Sequence, residues 1–200
     1  KPGSANWGMD WVGMIPGKRG SRRIIGDHTL TQRDLEGGSD GFNDAVAIGG
    51  WWMDDHPPSG FDQWQQKPAL QVRMPEPYSI PLRSLYSRNI GNLMMAGRNI
   101  SASHVAFTSA RVMGTCSVIG QAAGTAAAFC ARHGLTPRTL SQDKARLVEL
   151  QQILLRDDQT IVHARNGDPK DLARSAEVTA SSELDGADAD HVLNGYVRDL

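Results

Sequence analysis

The segment MGTCSVIGQAAGTAAAFCA, residues 113–131, constrains this chain more than any other. It has the composition of a helix made almost wholly of Gly, Ala, Ser, Thr and Cys. Such a helix buries few large side chains, and each interior glycine costs about 1 kcal/mol against alanine. Gly120, Gly124 and Ala128 recur every four residues, and Ala123, Ala127 and Ala131 do the same one row over. Residues four apart share a helix face, so this face is nearly flat and a backbone or a planar ring can approach it closely. The spacing alone leaves two readings open. The helix is either pressed against a sheet or another helix, or set beside a flat ligand.

Composition narrows the class. Two hundred residues with a formal charge of −1 are those of an ordinary globular chain. That charge gives no electrostatic case for nucleic acid or an anionic membrane, and neither is expected as a partner. Gln121 and several hydroxyls interrupt the small-residue helix and Leu is absent from it, so a packed helix is expected rather than a membrane span. Cys116 and Cys130 are the only cysteines. On one helix they stand about 21 Å apart at 1.5 Å per residue, far outside disulfide reach. Two such thiols hold neither an iron–sulfur cluster nor a structural zinc, and no metal is expected. They read as small buried apolar residues. The chain opens on Lys1 without an initiator Met, signal peptide or transit peptide, and stops at Leu200 within a fresh strand-and-turn pattern. An internal or C-terminal piece of a longer protein is therefore expected.

The order of elements follows from period and punctuation. Residues 1–23 read as a Gly-, Pro- and Arg-rich loop anchored by Trp7 and Trp11. RRIIGDHTLT, 22–31, predicts a strand with a bulge at Gly26. LTQRDLEGG predicts a short helix with Thr31 as cap and Gly37 as stop. DAVAIGGWWMDDHPPSG, 44–60, predicts a strand running into an irregular loop, since Pro57 and Pro58 forbid regular continuation. In 78–99 a strand runs to Pro81, a turn lies around 89–92, and the apolar run 93–96 has the length of a buried parallel strand. The small-residue helix stops near His133-Gly134, and Pro137 blocks its continuation. SQDKARLVELQQILLRDD, 141–158, predicts an amphipathic helix capped by Ser141, with a stripe of Leu147, Leu150, Ile153 and Leu154. From Asp168 the composition shifts to Ala, Ser, Asp and Gly, which places a domain boundary near Leu172.

What precedes the small-residue helix favours a ligand. The run 93–96 ends in Gly97-Arg98, and ligands in open α/β folds collect at carboxyl ends of strands. The polar segment NISASHVAFTSAR follows as a loop with hydroxyls, His104 and Arg111. The helix then begins among Met113, Gly114 and Thr115. A helix start carries unpaired N–H donors and a partial positive charge, which suit a ring that gains negative charge on accepting a hydride.

The stretch NLMMAGRNISASHVAFTSARVMGTCSVIGQAAGTAAA resembles the C-terminal FAD-binding signature of the FAD-dependent oxidoreductase family. That family is related to glutathione-reductase-fold flavoproteins and to the heterodisulfide reductase flavoprotein. GSRRIIGDHTLTQRD, AIGGWWMDDHP and YSIPLRSLYSRNIGN are similar to further family segments, so the resemblance covers roughly 15–156. It implies an α/β fold, here an α+β fragment, with FAD held between an N-terminal Rossmann unit and the final strand, loop and helix. Gly97 and Arg98 would pass near the ribityl–pyrophosphate. Gly114, Thr115, Gly120 and Gln121 would lie around the helix that faces the isoalloxazine. The family's N-terminal GxGxxG and its acidic partner do not occur in these residues. This stretch alone is expected to bind FAD weakly or not at all, its partner being the Rossmann part of the same chain.

Three side chains are candidates for chemistry. His56 in WWMDDHPP stands beside two carboxylates, and Asp54 or Asp55 would hold it in one tautomer as a base. The plain alternative is a solvated loop histidine. His104 is placed to reach flavin or substrate, or is simply a hydrogen-bonded loop residue. Arg111 would bind a substrate carboxylate or neutralise reduced flavin, or else pair with a nearby acid. Arg22, Arg23 and Arg83 also fall in family segments, and Trp51 and Trp52 line a pocket or pack in the core.

The resulting partition is 1–85 as the substrate-side part, 86–135 as the final strand, loop and helix of the FAD domain, and 136–172 as amphipathic helix and linker. Residues 173–200 complete it. VTASSELDGADADHVLNG is similar to the opening of discoidin-like, galactose-binding β-sandwich modules, which implies a glycan as a further partner. The expected function is hydride transfer from a small organic, carbohydrate-related substrate to FAD. The alternative is a non-catalytic scaffold or carbohydrate-binding piece without a cofactor.

Overall fold

The computed structural model describes residues 3–15, 20–38 and 42–196. Of the expected β-sandwich opening, 173–200, only 197–200 fall outside these residues, and the described part contains no ladder strand. Helix α1, Gln32–Glu36, starts and stops as the sequence predicts. Thr31 accepts from the Asp34 amide and Asp34 reaches back to the Thr31 amide, a reciprocal capping box. Gly37 ends the helix.

Strand β1, Ala45–Gly49, pairs antiparallel with β4, Tyr78–Pro81, and nearly every residue of both is buried. Strand β2, Met53–Asp55, pairs antiparallel with β3, Leu70–Val72, as a separate two-stranded hairpin. The architecture is therefore α+β: helices packed on two small sheets. The run 93–96 differs from the expected parallel strand. It is only partly buried and makes one antiparallel bridge, Met94 to Tyr86, because no parallel strand lies beside it among the described residues.

The segment 22–31 also differs. It is extended but forms no ladder. Ile24 and Leu30 donate their amides to the Asn99 and Ser101 carbonyls, and His28 donates to Arg83. The strap is thus shared between two neighbours. Gly26 is not a bulge but a point of contact, since a Cβ there would overlap the Arg83 carbonyl oxygen. Trp7 and Trp11 do not anchor the first loop; they are 82% and 78% exposed. Trp51 and Trp52 are exposed too, so neither serves the core.

The expected loop after Arg98 contains a helix, α2, His104–Ala110, capped by the Ser103 hydroxyl on the Ala106 amide. Helix α3, Met113–His133, follows after a bend of 94°. It ends at Gly134 in the left-handed region, φ 64°, where glycine pays no Cβ penalty. Among the described residues no single helix is long and apolar enough to cross a membrane.

The expected helix 141–158 is two helices, α4, Pro137–Gln142, and α5, Lys144–Arg156. Pro137 opens α4 rather than merely stopping α3, because its missing N–H costs nothing in a first turn. Asp143, not Ser141, is the cap of α5. Its extended backbone breaks the helix, and its carboxylate accepts from the Ala145 and Arg146 amides at 3.1 Å. Leu147, Leu150 and Leu154 face inward as expected, joined by Leu155. One core collects Val46, Tyr78, Ile80, Ile119, Ala126, Leu150 and Leu154.

The chain then folds back. Gln159, 2% exposed, donates its amide to Val46 of β1 at 2.8 Å and to Val118 of α3 at 3.0 Å. Beyond it, residues 173–196 hold short 3-10 turns and a single bridge, Leu184 to Ala187.

Candidate functional site

Helix α3 has two unlike faces. Thr115, Ile119, Ala122, Ala126 and Phe129 are buried, and at 100° per residue they share one side. Gly120, Gly124 and Ala128 lie opposite. A Cβ built at Gly114, Gly120 or Gly124 meets nothing within 4 Å among the described residues. The glycines are therefore not pressed against this chain's own sheets or helices. A face kept clear at about 1 kcal/mol per glycine fits a flat ring lying on it.

The start of α3 is open as well. Val112 is its cap residue and offers no side-chain hydrogen bond, so the first amides are left to water or a ligand. The turn Gly97–Asn99 packs against this start, with Gly97 at φ 80° and its would-be Cβ 4.0 Å from the Cys116 sulfur. Arg98 is exposed and lines one hollow with Ser21, Arg22 and Asn99. Two arginines lining one hollow suit an anionic group. Sequence reasoning names Arg22 and Arg98 separately; only the strap carrying Arg22 past Asn99 joins them.

Two predicted cofactor residues behave differently. Thr115 is buried, so its side chain faces the core and only its backbone amide faces the helix start. Gln121 donates its amide to the Asp157 carbonyl at 2.7 Å, tying α3 to the end of α5. Cys116 is half-buried near the start of α3. Burial pushes its thiol up, and the sulfur donates to the Ala110 and Arg111 carbonyls.

The three chemistry candidates converge on β2. His104 Nε2 lies 3.1 Å from Asp55 Oδ1. Arg111 donates to the Asp54 carbonyl at 2.6 Å. His56 Nε2 lies 3.7 Å from Asp54 Oδ2, while its Nδ1 donates to the Pro68 carbonyl at 2.9 Å. These residues span positions 54 to 111, and helix α2 brings them together. It lies along residues 51–55, with Ser109 donating to the Trp51 carbonyl, Arg111 to Asp54 and His104 to Asp55. Arg111 marks the joint between α2 and α3. His104, seven residues earlier, stands about 10 Å along the helix from that joint.

The family model described as FAD dependent oxidoreductase matches residues 2–154, more than half of the chain. The chain belongs to this family. Comparisons with curated proteins and with solved structures give no match. Membership supplies FAD as the cofactor and a flavin redox role. The clear face of α3, its start without a side-chain cap and the Arg22–Arg98 hollow are compatible with that cofactor.

Strand β4 and helix α2 share a buried hydroxyl pair. Tyr78 of β4 and Ser109 of α2 bond at 2.8 Å. Burial pushes the Tyr78 phenol up to about 12 from 10.0. Between pH 10 and 12 the unfolded tyrosine loses its proton before the folded one. The unfolded state then binds fewer protons, and stability falls as pH rises. The Tyr78 share is about 2 kcal/mol across that window. Denaturant melts of wild type and Tyr78→Phe at pH 9 and 12 are expected to converge by roughly this amount. A gap that stays constant with pH counts against the assignment.

Proposed function

We propose that this chain is the C-terminal half of a glutathione-reductase-type FAD site and that the parent oxidises a carbohydrate-related alcohol. The observation that carries the flavin half of the reading is the face of α3 bearing Gly120 and Gly124, free of contact with the described residues. Gly97 and Arg98, with Arg22, would hold the phosphate end, and Gly114, Gly120 and the first amides of α3 would lie along the ring. Residues 1–85 would supply the substrate side, and 86–135 the cofactor side.

Bound FAD supplies a two-electron acceptor for hydride. The residues of this chain handle the rest. His104 or His56 takes the hydroxyl proton as the C–H carbon gives up hydride, so the C–O bond gains the order that the C–H and O–H bonds lose. Arg111, tethered to β2 at the joint before α3, offers positive charge where negative charge develops. The sugar-directed part of the reading rests on 173–200, whose VTASSELDG resembles the opening of galactose-binding modules.

The test is anaerobic. The full-length protein is expected to purify with bound flavin, and a panel of glucose, galactose, xylose and their methyl glycosides is expected to include one that bleaches it. His104→Ala is expected to slow bleaching without loss of FAD. Absence of flavin overturns the cofactor reading, and retained flavin untouched by every sugar overturns the substrate class.

A further inference from the structure

We infer that Asp55 is a positioning residue that fixes His104 as its Nε2–H tautomer and leaves Nδ1 of His104 as the basic nitrogen of the site. The role in proton transfer rests on the reading above; the tautomer does not. A carboxylate only accepts, so the 3.1 Å contact between Asp55 Oδ1 and His104 Nε2 places the ring proton on Nε2. The other nitrogen, Nδ1, has no partner among the described residues. The His104 side chain is 62% exposed, which leaves Nδ1 within reach of a bound molecule.

The same reasoning gives His56 the opposite state. The Pro68 carbonyl only accepts, so Nδ1 of His56 carries the proton. The nitrogen left for base chemistry, Nε2, is turned onto Asp54 at 3.7 Å rather than into open space. His56 thereby joins the β2 end to the loop before β3, and the Asp54 carboxylate, an acceptor only, stands in front of its unprotonated nitrogen. Of the two histidines, only His104 combines an anchored nitrogen with an uncommitted one. This is the arrangement in which a carboxylate sets the tautomer of a catalytic imidazole without taking its proton.

Both partners sit on regular structure. Asp55 ends β2, held in register opposite Leu70. His104 opens α2, which Ser103 caps and which Ser109 and Arg111 tie to the Trp51 and Asp54 carbonyls. Elements pinned at several points hold a dyad better than loops do.

Ring-¹⁵N histidine spectra of the full-length protein, at a pH where imidazole is neutral, read the tautomers directly. The expected result is His104 wholly as Nε2–H and His56 wholly as Nδ1–H. Asp55→Asn is expected to admit the Nδ1–H form of His104, and Asp55→Glu to restore the pure Nε2–H form. The flavin bleaching rate with the sugar panel is expected to fall about 100-fold in Asp55→Asn with flavin content unchanged, and to recover at least about tenfold in Asp55→Glu. An identical tautomer pattern for His104 in wild type and Asp55→Asn overturns the positioning role. Absence of flavin overturns the earlier reading while leaving this spectrum to stand or fall by itself.

Discussion

Gly120→Leu is expected to fold as well as the wild type and to lose its flavin. The substituted position faces away from the core of this chain, with nothing within 4 Å of a built Cβ. A leucine there replaces a helix-breaking residue with a helix former, and the folded chain gains up to about 1 kcal/mol from propensity. A ring lying on the same face meets a branched side chain instead. The expected loss of FAD affinity is at least about 100-fold, near 2.7 kcal/mol. Gly124→Ala separates the two effects. Its single methyl is expected to raise the melting temperature of this chain by roughly 2–4 °C while weakening flavin retention less than leucine does. Visible flavin absorbance per polypeptide of the full-length protein and thermal melts, measured side by side, decide it. Unchanged flavin content in Gly120→Leu would mean that the ring does not lie there.

The opposite result is expected at Gly26. This glycine is buried on the strap 22–31, and an alanine Cβ would overlap the Arg83 carbonyl oxygen and sit 3.1 Å from Ser101 Cβ. Both obstacles are held fast, since the Arg83 carbonyl accepts from His28 and Ser101 donates its amide to Ser84. The strap has to move away, and its bonds to Asn99 and Ser101 lengthen with it. Gly26→Ala is expected to cost about 3 kcal/mol, the upper range for overpacking, and to lower the melting temperature by roughly 6–12 °C. Gly50→Ala is the control. Its nearest neighbour is Pro77 at 3.5 Å, an ordinary contact, and the change is expected to be within about 0.5 kcal/mol of neutral. Equal melting temperatures for the two variants would show that the strap is free to adjust.

Local chemistry was legible where the determinant lies within a turn of the residue it controls. Thr31 and Gly37 bound α1, Gly134 ends α3, and Pro81 ends β4, each from side-chain chemistry within a few positions. The break at Asp143 followed the same physics but was hidden by the continuous apolar stripe on either side of it. Amphipathic period reports which face is buried, and two helices in line keep the same period. Helix α2 was missed because SASHVAFTSAR is short and rich in hydroxyls, a composition that also suits loops. Its buried face, Ala106, Phe107 and Ala110, is legible only against the strand it covers.

The candidate site divides along the same line. His56, His104, Arg111, Gly97 and the α3 glycines are named by residue type and by resemblance to the family. Their grouping is not. Asp55 meets His104 across 49 positions, and Arg22 shares a hollow with Arg98 across 76. Adjacency in the chain supplied only half of the pairing: His56 does lie beside Asp54, while Asp55 turns to His104. Successive strand residues point to opposite faces, so neighbours in β2 are sent to different partners.

By itself the sequence determined the elements whose caps and stops are local, the small-residue composition of α3 and the family. Tertiary structure alone decided which face of α3 stays clear, which histidine keeps a free nitrogen and which glycine cannot be replaced. The reason is reach. Capping and helix period act over three or four residues, whereas contacts at Gly26, Asp55 and Gln159 exist only once segments far apart in the chain have packed together.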